Sequence, residues 1–318
     1  MSEPNTPNTE ANVDAGLQTI IAREVIYANA QYMAWHGIAL EKQADGEGTG
    51  VTFPVLSALA VAEDTLPADS NPASAAMADT TAAVTILEKG NILDLQQRLS
   101  RSSKYDAFQA AAQLLSVNMA ESVDAIAGGV AIAGSNLRRI AGRAADTDLL
   151  VADVITRAEL VRAAVQLKSQ RAPKHDDGFY RCVLNPYMVG DLFATGANLG
   201  DFVDVSKYST PESLLTGEIG RLAGFSFIEA SQKNVATNGA GEAVGANTVG
   251  DRVMALCCGK GYVGYAWALQ PFVRIKMEAS DRMERFVVMY WKGEFGYGRI
   301  REANAIRLAG RSAYAPNP

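Results

Sequence analysis

The sequence predicts an α+β protein, and three patterns carry that prediction. Val51, Phe53, Val55, Leu59 and Val61 fall on alternate positions, the spacing of half-buried strand. Tyr105, Phe108, Ala112, Leu115, Met119, Val123 and Ile126 recur every three or four residues, as on one side of a helix. Near the C-terminus Val273, Ile275 and Met277 alternate with Arg274 and Lys276, a turn follows at Ala279–Asp281, and Arg285–Trp291 returns antiparallel.

Bulk properties bound the rest. A chain of 318 residues with 48% hydrophobic content can bury a sizeable core in one to three domains. Its net charge of -6 argues against a dedicated nucleic-acid binder, which would carry a basic excess. Cys182, Cys257 and Cys258 are odd in number, two are adjacent, and none has metal-ligand spacing, as in a reduced protein made inside a cell. Met1–Asn12 is polar, with no basic or apolar leader region, and reads as a loose tail. No apolar run approaches the ~18 residues of a membrane span, so a soluble protein is expected.

In chain order, Gly16–Leu40 has helical spacing with Ile20, Ile21, Tyr27, Tyr32, Met33 and Trp35 as bulky positions, either a core helix or an arm that docks on a neighbour. Then comes a charge anomaly. Between Lys42 and Lys89 there is no base, but there are seven acids: Asp45, Glu47, Glu63, Asp64, Asp69, Asp79 and Glu88. The alternating run from Val51 and the β-branched Thr80–Leu87 flank a turn cluster of Pro67, Asp69, Asn71 and Pro72. A long acidic two-stranded arm results. A lone hairpin is marginal in water, so this arm needs a surface, most economically on another copy of the chain.

The clearest helix follows, capped by Ser102 or Ser103 and stopped at Gly128–Gly129, about 24 residues and ~36 Å long. A second helix is expected over Asp148–Gln170, with early acids Asp148 and Asp153, late bases Lys168 and Arg171, a buried stripe of Val154, Ala158, Val161 and Val165, and Pro173 as terminator. Phe179–Leu184 reads as strand, Asn185-Pro186 opens a short helix through Phe193, Glu212–Leu222 reads as helix and Phe225–Glu229 as strand. Gln232–Asn247 is a small-residue loop, and Arg252–Cys258 a near-continuous apolar strand. Gly293, Gly296 and Gly298 punctuate the next stretch, and a short helical segment falls near Arg301–Leu308. From Phe272 to Arg311 nine bases face five acids, so charge is segregated along the chain.

Chemistry is sparse. His36 lies among aromatics, and His175 in a charged turn reads as solvated. Cys182 shares a strand face with Tyr180 and Leu184 and reads as a small core residue with nothing to activate it. Gly239-Ala240-Gly241 lacks the strand and helix of a dinucleotide site, and Gly259-Lys260-Gly261 lacks the phosphate-loop spacing. Asp176 and Asp177 should point apart. The Arg138, Arg139 and Arg143 cluster reads as a solvated helix end or a partner for a neighbour's acids. No nucleophile, base and oxyanion site assembles, so neither a catalytic residue nor a cofactor or metal site is predicted.

The order of parts, with the stretches Gly178-Phe179-Tyr180, Leu184-Asn185-Pro186, Asp191-Leu192, Gly217-Glu218-Ile219-Gly220, Gly224-Phe225, Ile228-Glu229, Gly261-Tyr262, Tyr265-Ala266, Arg285, Val287-Val288, Trp291-Lys292 and Gly296-Tyr297-Gly298, resembles the major capsid proteins of tailed bacteriophages with the Hong Kong 97-type fold, closest to the N4-like branch. The stretches span about 120 residues; the N-terminal half matches by layout only. Asn185 departs from the histidine expected before Pro186, a position that looks structural. The resemblance implies an N-terminal arm over 1–45, an E-loop hairpin over 46–92, a P-domain with its spine helix over 93–135, an A-domain over 136–261, a P-domain sheet over 262–303 and a C-terminal segment over 304–318. It implies a structural coat protein of the virion capsid, made in the host bacterial cytoplasm. Such a protein closes into homo-hexamers and homo-pentamers around packaged DNA, with portal, scaffolding and decoration proteins as partners and no membrane. In some relatives an E-loop lysine forms a covalent cross-link; Asp45–Glu88 has no lysine to offer.

Charge pattern and resemblance converge on inter-subunit contacts. Phe53, Leu56, Leu59, Glu63, Asp64 and Asp69 of the arm are expected to meet Arg98, Arg101, Lys104 or the C-terminal sheet of an adjacent copy. Exposed ion pairs contribute only ~0–1 kcal/mol each, so apolar burial would supply most of the attraction and charge the register. An encapsulin-type shell shares the fold and remains an alternative. An enzyme with a glycine-loop ligand site is the rival from another class.

Overall fold

The computed structural model describes residues 33–44, 50–56, 79–102, 107–150, 152–194, 218–230, 253–277, 285–312 and 314. Its elements are β1 (Leu40–Gln43), β2 (Gly50–Leu56), β3 (Asp79–Thr85), β4 (Leu87–Gln96), α1 (Gln97–Ser102), α2 (Ala107–Ile132), β5 (Leu137–Arg139), α3 (Arg157–Ser169), β6 (Tyr180–Leu184), α4 (Pro186–Ala194), β7 (Glu218–Leu222), β8 (Phe225–Glu229), β9 (Val253–Cys258), β10 (Val263–Met277), β11 (Phe286–Arg299) and β12 (Ala305–Gly310). Among the described residues they form three sheets: four strands in the order β1-β10-β11-β4, six in the order β5-β12-β9-β6-β8-β7, and the pair β2-β3. The mixed helix-and-strand expectation agrees with this architecture.

The first core lies between α2 and the four-stranded sheet. Met289, Trp291, Phe295 and Tyr297 alternate along β11 and turn one face toward the helix, which answers with Ala107, Ala111, Leu115, Val123, Ala127 and Ala131. Small side chains let the helix backbone approach the sheet closely. The helix does not stop at Gly128–Gly129 but continues to Ile132. A Cβ on Gly128 would lie 3.0 Å from the Trp35 indole, so this glycine serves close packing and not termination. By length and composition alone α2 is long and apolar enough to cross a membrane, contrary to the expectation that no segment is. Here its apolar side is laid against the sheet.

The six-stranded sheet is covered on both faces. Val183, Ile228, Leu256 and Cys258 join the α2 core, while Cys182, Phe225, Phe227, Val253, Ala255, Cys257 and Leu308 pack beneath α3 and α4. This explains the unbroken apolar run of β9, buried at all six positions. The helix expected over Asp148–Gln170 begins only at Arg157, because Asp153 is engaged by Arg143 at 2.7 Å and Asp148 lies in a preceding 3-10 turn. Its buried stripe is Leu160, Ala163, Ala164 and Leu167; Ala158, Val161 and Val165 face outward instead.

Three further expectations change. Leu40 belongs to a strand parallel to β10, not to a helix; residues 16–32 of that predicted helix lie outside the described residues. Glu218–Leu222, expected as helix, is strand β7 paired antiparallel with β8; the start of that prediction and the Gln232–Asn247 loop are also outside the described residues. After a 3-10 turn at Glu302–Asn304, Ala305–Leu308 is strand and not helix, because β9 offers an antiparallel partner from Val253 to Cys258.

Candidate assembly surface

The acidic arm has a described root. β2 and β3 pair antiparallel from Gly50↔Thr85 to Leu56↔Asp79. One face of the pair carries Val51, Phe53 and Val84, which pack with Ile86 and Ala266 into a small core of their own. The sheet beneath is cut away by glycine. A Cβ on Gly296 would collide with the Thr85 carbonyl oxygen, one on Gly298 would lie 2.7 Å from Val84 Cγ2, and one on Gly264 3.0 Å from the Phe53 ring. These glycines therefore lie inside β10 and β11 as a saddle for the hairpin, and Gly293, Gly296 and Gly298 do not interrupt the strand as expected. Lys42 closes the side of the saddle by donating to the Thr52 carbonyl at 3.1 Å.

Beyond the saddle the same face of the sheet is partly exposed. Phe272, Arg274 and Lys276 of β10 pair with Lys292, Tyr290 and Val288 of β11, and Ile92 of β4 pairs with Tyr290, so these side chains share the face turned away from α2. Arg274 and Lys276 are exposed, and Ile92 is 61% exposed. The result is a strip of apolar and basic groups, with the Arg274 guanidinium 5.1 Å from the Phe272 ring centroid. Hairpin and strip occupy opposite ends of one sheet: Leu87 pairs with Phe295 beside the saddle and Gln96 with Phe286 at the far end. The ten residues of β4 span about 33 Å from one end to the other, and Lys292, the strip residue nearest the saddle, pairs with Gly90, three residues from Leu87.

The sequence-selected contact residues divide accordingly. Phe53 is removed from an external role: it is 5% exposed and fills the subunit's own hairpin core. Leu56, on the outward face, is 61% exposed. Arg98 is exposed on α1 at the strip end, so one chain does not bring it to its own hairpin root. Arg101 belongs to the same helix. Leu59, Glu63, Asp64, Asp69 and Lys104 lie outside the described residues.

The other charged motifs are satisfied internally. Arg138 reaches Glu159 at 3.2 Å, Arg139 pairs with Asp146 and Arg143 with Asp153, so this cluster serves its own chain and not a neighbour's acids. Asp176 pairs with Lys260 at 2.6 Å and Asp177 with Arg181 at 3.2 Å, pointing apart as expected. His175 is not solvated: burial beside Arg181 pushes its pKa down to about 4, so the ring is neutral at pH 7. Cys182 and Cys257 are buried thiols 3.3 Å apart, and burial raises the Cys182 pKa well above the ordinary range. No group of three or more His, Cys, Asp or Glu able to hold a metal occurs among the described residues.

Sequence reasoning missed Ile92, Arg171 and Arg301 as surface features. The even-odd alternation against Leu93 and Leu95 could have exposed Ile92. Nothing local marks the two arginines, which are brought together by the fold.

No protein-family model matches the sequence, and no curated protein sequence does. Solved structures do match over nearly the whole chain. The capsid of Ralstonia phage GP4 superposes with a TM-score of 0.72 at 13% identity, covering 95% of this chain and 96% of that one. The capsid of cyanophage Pam1 gives 0.69 at 14% identity over 94% and 98%. The acid-stable capsid of the Helicobacter pylori bacteriophage KHP30 gives 0.66 at 12% identity over 98% and 100%. The chain has the fold found in these phage capsids.

Proposed function

We propose that the chain is the major capsid protein of a tailed bacteriophage, a structural protein of the Hong Kong 97 type related to the N4-like branch. Copies join into hexamers and pentamers, and these close as an icosahedral shell around packaged DNA. The β2–β3 hairpin is the root of the E-loop, α2 the spine helix, the four-stranded sheet the P-domain and the six-stranded sheet the A-domain. Full-length likeness to phage capsid chains supports the reading.

One observation carries the assembly step: the root of the acidic arm lies at one end of the four-stranded sheet, and the basic and apolar strip runs along the same face toward the other end. A surface with complementary groups at its two ends joins copies head to tail, and a head-to-tail contact with a suitable rotation closes into a ring. In this reading the arm of each subunit crosses its neighbour, with Leu59 buried by the contact and Asp69 facing cations such as Arg98, Arg101, Lys104, Arg274 and Lys276. The lysine-free arm cannot cross-link through a lysine of its own, so its contacts are noncovalent. Portal, scaffolding and decoration proteins are the expected partners in the virion.

Replacing residues 63–78 by a short Gly-Ser linker, which spares β2 and β3, should leave a folded subunit that no longer forms shells. Circular dichroism checks the fold, and sedimentation checks assembly. Normal shells from this variant would refute the role of the arm.

A further inference from the structure

A cleft of about 710 Å³ separates the hairpin from the body of the subunit, walled by Val55, Leu56 and Thr81 on one side and Arg171, Ile300 and Arg301 on the other. Both arginines are exposed, and neither guanidinium has an ion-pair partner among the described residues. The acid in the same wall, Glu302, is occupied: Arg299 holds one carboxylate oxygen at 2.6 Å, and the other accepts the Ser135 amide at 3.1 Å. By contrast Arg138, Arg139, Arg143 and Arg181 each have an acid of their own chain.

Arg171 carries a second signal. It follows α3 with a φ of 54°, in the left-handed region, while Ala172 N donates to the Leu167 carbonyl and Arg171 N to the Lys168 carbonyl, each at 3.0 Å. This is a helix C-terminus at which glycine adopts the required backbone at lower cost than any residue with a Cβ. The backbone gains nothing from arginine there. A side chain kept in a strained conformation points to a use for that side chain.

We propose that this cleft is a second contact between copies, in which Arg171 and Arg301 clasp an acidic segment of an adjacent subunit's arm, Glu63 and Asp64. The proposal rests on the assembly reading above and identifies one acceptor of the arm. Charge complementarity selects the occupant: the window from Lys42 to Lys89 has seven acids and no base, and Glu63-Asp64 is its one adjacent acid pair. Two guanidinium forks match two carboxylates in charge and hydrogen-bonding geometry, and the outward Leu56 supplies apolar surface beside them.

The test uses the full chain. Arg171→Gly combined with Arg301→Ala removes both charges and relieves the left-handed backbone. The isolated subunit should therefore melt at the same temperature or higher, while the concentration needed for assembly rises about tenfold, with the deficit largest at low salt. Two charge reversals locate the contact. Arg171→Glu/Arg301→Glu and Glu63→Lys/Asp64→Lys should each fail to form hexamers alone and form them when mixed in equal amounts, because alternating subunits then match at every junction. Recovery only when all four changes share one chain would mean that each arm fills its own cleft, which overturns the proposal. Undiminished assembly of the Arg171→Gly/Arg301→Ala variant, with or without loss of retained DNA, overturns it too and leaves the coat-protein reading standing. Wild-type protein that forms no particles would instead remove the reading on which the proposal rests.

Discussion

Asp124 shows what one buried carboxylate does for this chain. It projects from the buried side of α2, and its Oδ1 accepts the amides of Trp35 at 2.8 Å and His36 at 3.1 Å, fastening the segment ahead of β1 to the helix. Its Oδ2 is buried with no hydrogen-bond partner among the described residues. Burial pushes the pKa up to about 6 from 3.8, against the pull of the two amides. A carboxyl raised in this way binds its proton more tightly folded than unfolded. Its contribution is therefore fully present below the ordinary pKa and is lost as pH rises through about 6. His36, whose pKa burial lowers, titrates in the opposite sense, so the informative comparison is between wild type and variant. Asp124→Asn keeps the amide acceptor without the charge. Its melting temperature should vary less than wild type between about pH 4 and 6 and be equal or higher at pH 7, as thermal melts across that range would show. A slope unchanged from wild type would contradict this account.

Some of these residue roles were open to sequence reasoning and others were not. Asn185 before Pro186 was expected to be structural, and it is 2% exposed with its Oδ1 accepting the Tyr187 amide at 2.9 Å, a helix cap made within three residues. Gly128 was misjudged as a stop because its reason is Trp35, 93 positions away. A glycine that ends a helix and one that admits an indole look alike until the partner is placed.

At the scale of elements, the hairpin shows what periodicity can deliver. The alternation of Val51 and Phe53 is strong because one face is buried and the other is not. The position of that buried face, over Gly264, Gly296 and Gly298, depends on a contact more than two hundred residues away. α3 failed for a related reason: Val161 and Val165 fit a helical stripe as well as Leu160, Ala163, Ala164 and Leu167 do, and the sheet beneath selects the second set. β12 reads as helical in the sequence because six residues carry little periodicity without the neighbouring β9. The saddle yields a direct prediction. Gly296→Ala places a methyl group against the Thr85 carbonyl and should cost about 1–3 kcal/mol. Hydrogen exchange should quicken in β2 and β3 while α2 stays protected. Gly129→Ala, where a Cβ meets nothing within 4 Å, should be neutral or stabilising and serves as the control.

At the scale of the molecule, the root of the lysine-free arm and the basic groups of the C-terminal strands are set on one sheet. An acidic arm leaves one end of the four-stranded sheet, and a basic, apolar strip covers the other. Both features were visible in composition, but their placement on the same face at opposite ends follows from the register of β4, β10 and β11. In the proposed assembly the arm's complement lies on another copy, and this is the central claim. Electron microscopy of the purified full-length protein at near-physiological salt tests it most directly. The account predicts ring-shaped capsomers and closed shells tens of nanometres across; a monomer or a small defined oligomer at every concentration examined would contradict it.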